Sequence, residues 1–182
     1  MNLIEIIAVL FTFISVYLTI KGNILCWSTG LVGITFYSIL FYQNNLLADL
    51  GLQFVFFIQS IIGWINWKKP KLDLKPTWLS YTQRGVVINL TILTYMMIFI
   101  ITNRLGGNLP ILDSAVATFS IIAMTLLIFK KIESWFFWIL NDIILISIFI
   151  STGLYLSAFI YLTFLIMATK GFLEWKKNIK IV

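Results

Sequence analysis

Trp135, Trp138, Asn141 and Asp142 share one apolar stretch, Glu133-Ser134-Trp135-Phe136-Phe137-Trp138-Ile139-Leu140-Asn141-Asp142. A helix advancing about 100° per residue gathers these four side chains within roughly 120° of arc. Two indole faces then stand about one turn from a carboxamide and a carboxylate. An indole face stacks a flat heterocycle, and holds it more tightly when the ring is cationic. The amide and the acid offer hydrogen bonds that orient such a ring. Trp135 lies close to Lys131, where an interfacial aromatic belt would also place a Trp. Trp138 and Asp142 lie a turn or two deeper and point to a binding role.

A second stripe runs through Asp49, Gln53, Phe56, Ser60, Gly63 and Trp67. Spacings of three and four put all six on one helix face. An acid at the centre of a bilayer costs roughly 2.5–3.5 kcal/mol on insertion scales, so polar residues there need a cause. Asp49 is near the outer end, where it is either solvated or part of a site. Gln53, one turn deeper, can serve hydroxyls or a carboxamide. Gln59 points off this stripe and suits a helix–helix hydrogen bond. In another run, Trp27 and Tyr37 either line a site or pack, while Gly30 and Gly33 permit close helix contact. Tyr155, Tyr161 and Thr163 are weaker candidates. Glu5, Thr12 and Thr19 form a stripe suited to packing, and Asn89 suits an interhelical hydrogen bond.

The elements that position these groups are membrane spans. Of 182 residues, 60% are hydrophobic and 11% charged, with mean hydropathy +1.00. A soluble domain carries about 25% charged residues. One integral membrane domain is expected, with the first apolar run retained rather than cleaved as a signal. There is no His and one Cys, Cys26. That excludes an internal disulfide, a Cys/His metal cluster, haem ligation by His and a Ser-His-Asp triad. No cofactor is expected.

Seven runs are long enough to cross a bilayer at about 20 residues each. They fall near 3–20, 25–43, 46–67, 85–102, 111–129, 133–151 and 154–175. The basic residues sort by side. Lys21, Lys68, Lys69, Lys71, Lys75, Arg84, Lys130, Lys131, Lys170, Lys176, Lys177 and Lys180 share one side, and Arg104 alone is on the other. The excess predicts that the basic side is cytoplasmic, with the N-terminus outside and the C-terminus in the cytosol. The net charge of +6 thus belongs to topology, and no nucleic-acid partner is expected.

Residues 11–69 recur without gaps at 119–177, an offset of 108 with 14 identities over 59 positions. Both copies end alike, in Gly63-x-x-x-Trp67-Lys68-Lys69 and Gly171-x-x-x-Trp175-Lys176-Lys177, and Trp27 maps onto Trp135. Each copy holds three spans, and the fourth span restores the starting side. The copies are therefore parallel repeats, a transporter signature. The expected organisation is repeat one at 1–69, linker and fourth helix at 70–104, and repeat two at 105–182.

At these residues the chain resembles the PnuC family of bacterial vitamin transporters over nearly its whole length. The resemblance rests on Trp27-Ser-Thr-Gly30-x-x-Gly33, Leu46-Leu-Ala-Asp49-x-x-Leu-Gln53, Gly63-Trp64-Ile-Asn66-Trp67, Trp135-x-x-Trp138-x-x-x-Asp142 and Gly153-Leu-Tyr155-Leu. It implies an all-α, full-length-SWEET-like fold of two three-helix bundles joined by a linker helix. It also implies homotrimers in the bacterial inner membrane, and facilitated diffusion followed by trapping through a cytosolic kinase. Branches of the family carry nicotinamide riboside, thiamine, riboflavin or deoxynucleosides. The two-Trp motif is similar to that of the nicotinamide riboside branch. That branch often has Asn where this chain has Asp142, and here Asn141 sits beside it. The competing classes fit less well. A sugar carrier does not need the Trp density, an enzyme using Glu133 and Asp142 lacks any nucleophile or metal set, and a structural protein leaves the polar stripes without a cause.

Overall fold

A chain in hydrocarbon must satisfy its own backbone polar groups, and apolar runs of this length do so as helices. The computed structural model describes residues 3–68, 75–104, 106 and 109–179. The described residues form seven helices: α1 (Leu3–Ile20), α2 (Leu25–Gln43), α3 (Leu47–Lys68), α4 (Tyr81–Arg104), α5 (Pro110–Ile128), α6 (Glu133–Ser151) and α7 (Tyr155–Lys177). All seven are long and apolar enough to cross a membrane. Lys69, Lys71 and Lys180 of the basic set lie outside the described residues.

The boundaries follow local chemistry. The fourth helix starts at Tyr81 rather than near residue 85, because Ser80 and Gln83 cap it reciprocally. The Ser80 N–H donates to Gln83 Oε1 at 3.0 Å and the Gln83 N–H donates to Ser80 Oγ at 3.3 Å. Pro110 opens α5, where a missing N–H is harmless. The turns after α1 and α5 close alike. Gly22 (φ +65°) and Lys130 (φ +49°) both take the left-handed conformation. The Asn23 N–H donates to the Leu18 carbonyl, and the Lys131 N–H to that of Leu126, each at 2.9 Å. Asn45 (φ +57°) and Gly153 (φ +74°) do the same after α2 and α6. Every member of these pairs is 108 residues from its mate.

Helix contacts form a closed sequence. α1 packs on α2, α2 on α3, α3 on α5, α5 on α6, α6 on α7, and α7 back on α1. Six helices thus ring a central axis, with α2 and α6 on opposite sides. α4 lies outside the ring, packs only on α5, and has no buried residue among those described. Glycines set the close α1–α2 approach, since a Cβ on Gly33 would fall 2.9 Å from Thr12 Oγ1.

The main core fills one end of the ring. It gathers Ile20, Cys26, Trp27, Leu127, Ile128, Ile132, Trp135, Ala168 and Trp175, with Trp67 and Trp138 packed against it. These residues come from the helix ends that carry the lysines. The link before α4 docks on the turn between α5 and α6. There the Thr77 N–H donates to the Lys130 carbonyl and the Ile132 N–H to the Thr77 carbonyl, both at 3.1 Å. The Leu79 N–H donates to the Glu133 carboxylate at 3.0 and 3.1 Å, and Trp78 stacks on Phe136.

Candidate functional site

The α6 arc faces inward. Asn141 and Asp142 are 3% and 4% exposed, and Trp138 is half-buried one turn toward the core. Asn141 Oδ1 has no hydrogen-bond partner among the described residues. A buried acceptor left unpaired costs about 1–3 kcal/mol. A ligand donor at that atom would remove the penalty.

Other helices bring polar groups to the same region. Tyr161 of α7 is within electrostatic reach of Tyr37 on α2, Asp142 on α6 and Asp49 on α3. Because α7 packs on neither α2 nor α3, Tyr161 acts on Tyr37 and Asp49 across the ring, while Asp142 is on the neighbouring α6. Phe149 stacks on Tyr161 with ring centroids 5.3 Å apart, and Phe164 meets it edge-on at 5.9 Å. Tyr37 stacks on Phe41 at 5.7 Å. Gln53 is half-buried on α3, and its mate at the offset of 108 is Tyr161. Asp49 is exposed in the first turn of α3 and within electrostatic reach of Asp113.

Trp27 and Trp135 are placed differently from Trp138. Each is 2% exposed and lies against a glycine of its own three-helix group, Trp27 on Gly63 and Trp135 on Gly171. Each also meets a second Trp edge-on: Trp27 meets Trp67 at 5.3 Å and 88°, and Trp135 meets Trp175 at 5.3 Å and 86°. Of the two candidate stacking faces on α6, Trp138 is the one outside this closed packing. Trp135 is buried within the protein because the glycine opposite leaves room for a whole indole.

Gln59 is off the Gln53 stripe. Its Nε2 donates to Thr125 Oγ1 at 2.8 Å and to the Ile121 carbonyl at 3.1 Å, tying α3 to α5. Tyr161 is only a weaker candidate by sequence, Trp67 is the last member of the α3 stripe, and Trp175 enters only through the repeated phrase. The offset from Gln53 was a signal that could have raised Tyr161. Among the described residues, no group of three or more His, Cys, Asp or Glu side chains converges for a metal ion.

Seven apolar helices, six of them around an axis that carries amide, acid and aromatic groups, define a multi-pass membrane transporter of a small molecule. Residues 2–177 match the model of the nicotinamide mononucleotide transporter family, and the chain belongs to that family. It is a family of transporters, not of enzymes. The nicotinamide riboside transporter PnuC of Escherichia coli (strain K12) is 27% identical over 175 residues, covering 80% of this chain and 73% of that protein. The nicotinamide riboside transporter PnuC of Neisseria mucosa is 24% identical over 176 residues, covering 88% of this chain and 66% of that protein. A crystal structure of the vitamin B3 transporter PnuC matches the fold with a TM-score of 0.80 and 21% identity, over 97% of this chain and 81% of that one.

Proposed function

We propose that this chain takes up nicotinamide riboside by facilitated diffusion, supplying NAD biosynthesis once a cytosolic kinase phosphorylates and traps the product. The observation that carries the reading is the buried Asn141–Asp142 pair one turn from the half-buried Trp138. Trp138 stacks the pyridinium, Asp142 matches its positive charge, and Asn141 Oδ1 accepts from the carboxamide or a ribose hydroxyl. Gln53, Tyr37 and Asp49 serve the path and the ribose from the facing helices, and Trp27 and Trp135 form the floor beneath. The names of the E. coli and N. mucosa relatives support this substrate.

The basic end is cytosolic and the N-terminus external, in the inner membrane of a bacterium. The offset of 108 shared by turns and Trp contacts supports two parallel repeats, 1–69 and 105–182, with 70–104 linking them. The outward α4, free of buried residues, leaves surface for assembly as a homotrimer. One specific observation favours a second substrate, thiamine: Asp142 stands where the nicotinamide riboside branch often has Asn, and a thiazolium is also cationic. Riboflavin and deoxynucleosides lack that charge. The test is titration of the purified protein with all four, read by intrinsic Trp fluorescence. Nicotinamide riboside should bind tightest, and tighter binding of any other would reassign the substrate.

A further inference from the structure

Trp67 and Trp175 make one contact twice. Trp67 Nε1 of α3 donates to the Ile128 carbonyl at the end of α5, at 3.1 Å. Trp175 Nε1 of α7 donates to the Ile20 carbonyl at the end of α1, at 3.2 Å. Donors and acceptors are both 108 residues apart. Each bond therefore runs from one three-helix group to the other, and the pair is reciprocal. The two indoles also touch, with centroids 6.4 Å apart and planes at 45°. Lys130 Nζ sits 4.2 Å over the Trp67 ring, and Lys21 Nζ pairs with Glu174 Oε1 at 3.2 Å. All these links join α1–α3 to α5–α7, and all lie at the basic end.

We infer that Trp67 and Trp175 are the two halves of a latch that shuts the basic end of the transport path and must part for solute to pass. Glycines seat it, because Gly63 and Gly171 admit the Trp27 and Trp135 rings that buttress Trp67 and Trp175. Its closed form is not a deep minimum. Trp27 Nε1 and Trp135 Nε1 are buried without hydrogen-bond partners among the described residues, and unpaired buried donors oppose the arrangement that buries them. Two satisfied indoles hold the end shut while two unsatisfied ones bias it to open. A gate that must both close and release needs that balance.

The inference rests on the transporter reading but not on which solute is carried. Cys26, the single cysteine, is 3% exposed inside the latch core and reports its opening without any substrate. In liposomes, Cys26 of the wild-type protein should react slowly with N-ethylmaleimide. Trp67→Phe with Trp175→Phe keeps one aromatic ring at each position and removes both N–H donors, and should raise the rate about tenfold or more. An unchanged rate overturns the latch. A second arm does not depend on that variant folding. In a Cys26→Ser background, Lys21→Cys and Glu174→Cys are bridged by a short bis(methanethiosulfonate), each thiol displacing methanesulfinate to form a disulfide. Bridging should abolish uptake of radiolabelled nicotinamide riboside, and reductive cleavage should restore it. Uptake at the full rate while bridged overturns the latch. No uptake by the wild-type protein overturns the substrate assignment instead, while the Cys26 result stands by itself.

Discussion

The indole of Trp135 lies so close on Gly171 that a single added carbon would fall 2.5 Å from its ring. Gly63 stands in the same relation to Trp27, so the same device is used on α3 and α7. With the latch closed each ring is 2% exposed and held edge-on by another Trp, so it has little room to yield.

Gly171→Ala should therefore destabilise the protein by about 1–3 kcal/mol, the range for overpacking a core. Thermal unfolding of the detergent-solubilised protein measures it. Gly51→Ala is the control, since nothing lies within 4 Å of a Cβ there. On a helix that change should be neutral or stabilising by about 0.5–1 kcal/mol. Equal melting temperatures for the two variants would refute the close-packing account.

Trp138→Ala should weaken nicotinamide riboside binding by about tenfold or more. Loss of stacking accounts for about 0.5–1.5 kcal/mol and loss of apolar burial for about as much again. Titration calorimetry on folded protein measures it. Wild-type affinity in this variant would remove the stacking face from the site. Asp142→Asn should weaken a cationic ligand more than its neutral dihydro analogue, because the cation alone loses a charge-assisted contact.

Lys130 holds a left-handed turn in which L side chains are strained by about 1–2 kcal/mol. Its ammonium over Trp67 offsets part of that, by about 0.5–1 kcal/mol. Lys130→Ala keeps the strain and loses the ring contact, whereas Lys130→Gly loses both. The Gly variant should melt above the Ala variant, by an amount equivalent to about 1 kcal/mol. The reverse order would mean that the turn is not strained.

Glu133 fastens the link before α4 by accepting from the Leu79 N–H, with Arg84 Nε 3.7 Å away. Glu133→Ala should free that link and speed chymotryptic cleavage after Trp78, while Glu133→Gln, which keeps an acceptor, should change it less. Equal cleavage in all three proteins would show that the carboxylate does not hold the link.

Topology offers a further check. Reporter fusions should place the N-terminus outside and the C-terminus in the cytosol. A cytosolic signal from the N-terminal fusion would reverse the orientation.

Helix number and extent were legible in the sequence because hydrocarbon imposes them locally: about 20 apolar residues must coil to satisfy their own backbone. Where the expectation slipped, at the start of α4, the Ser80–Gln83 cap decided, and polar caps carry no hydropathy signal. The inward arc of Asn141 and Asp142 was legible for a similar reason, since helical periodicity alone groups them on one face. Gln59 was readable as a helix tie because it falls off the Gln53 stripe. The offset of 108 was readable as text. Its meaning at Trp67 and Trp175 was not, because periodicity says which residues share a face but not which neighbour that face meets. Only the closure of six helices into a ring sets the Trp67 N–H on Ile128 and the Trp175 N–H on Ile20. The same closure separates Trp135 from Trp138, two indoles one turn apart on a single helix. A glycine on α7 takes the first into the core and leaves the second half-buried, and that distinction depends on which helix packs opposite.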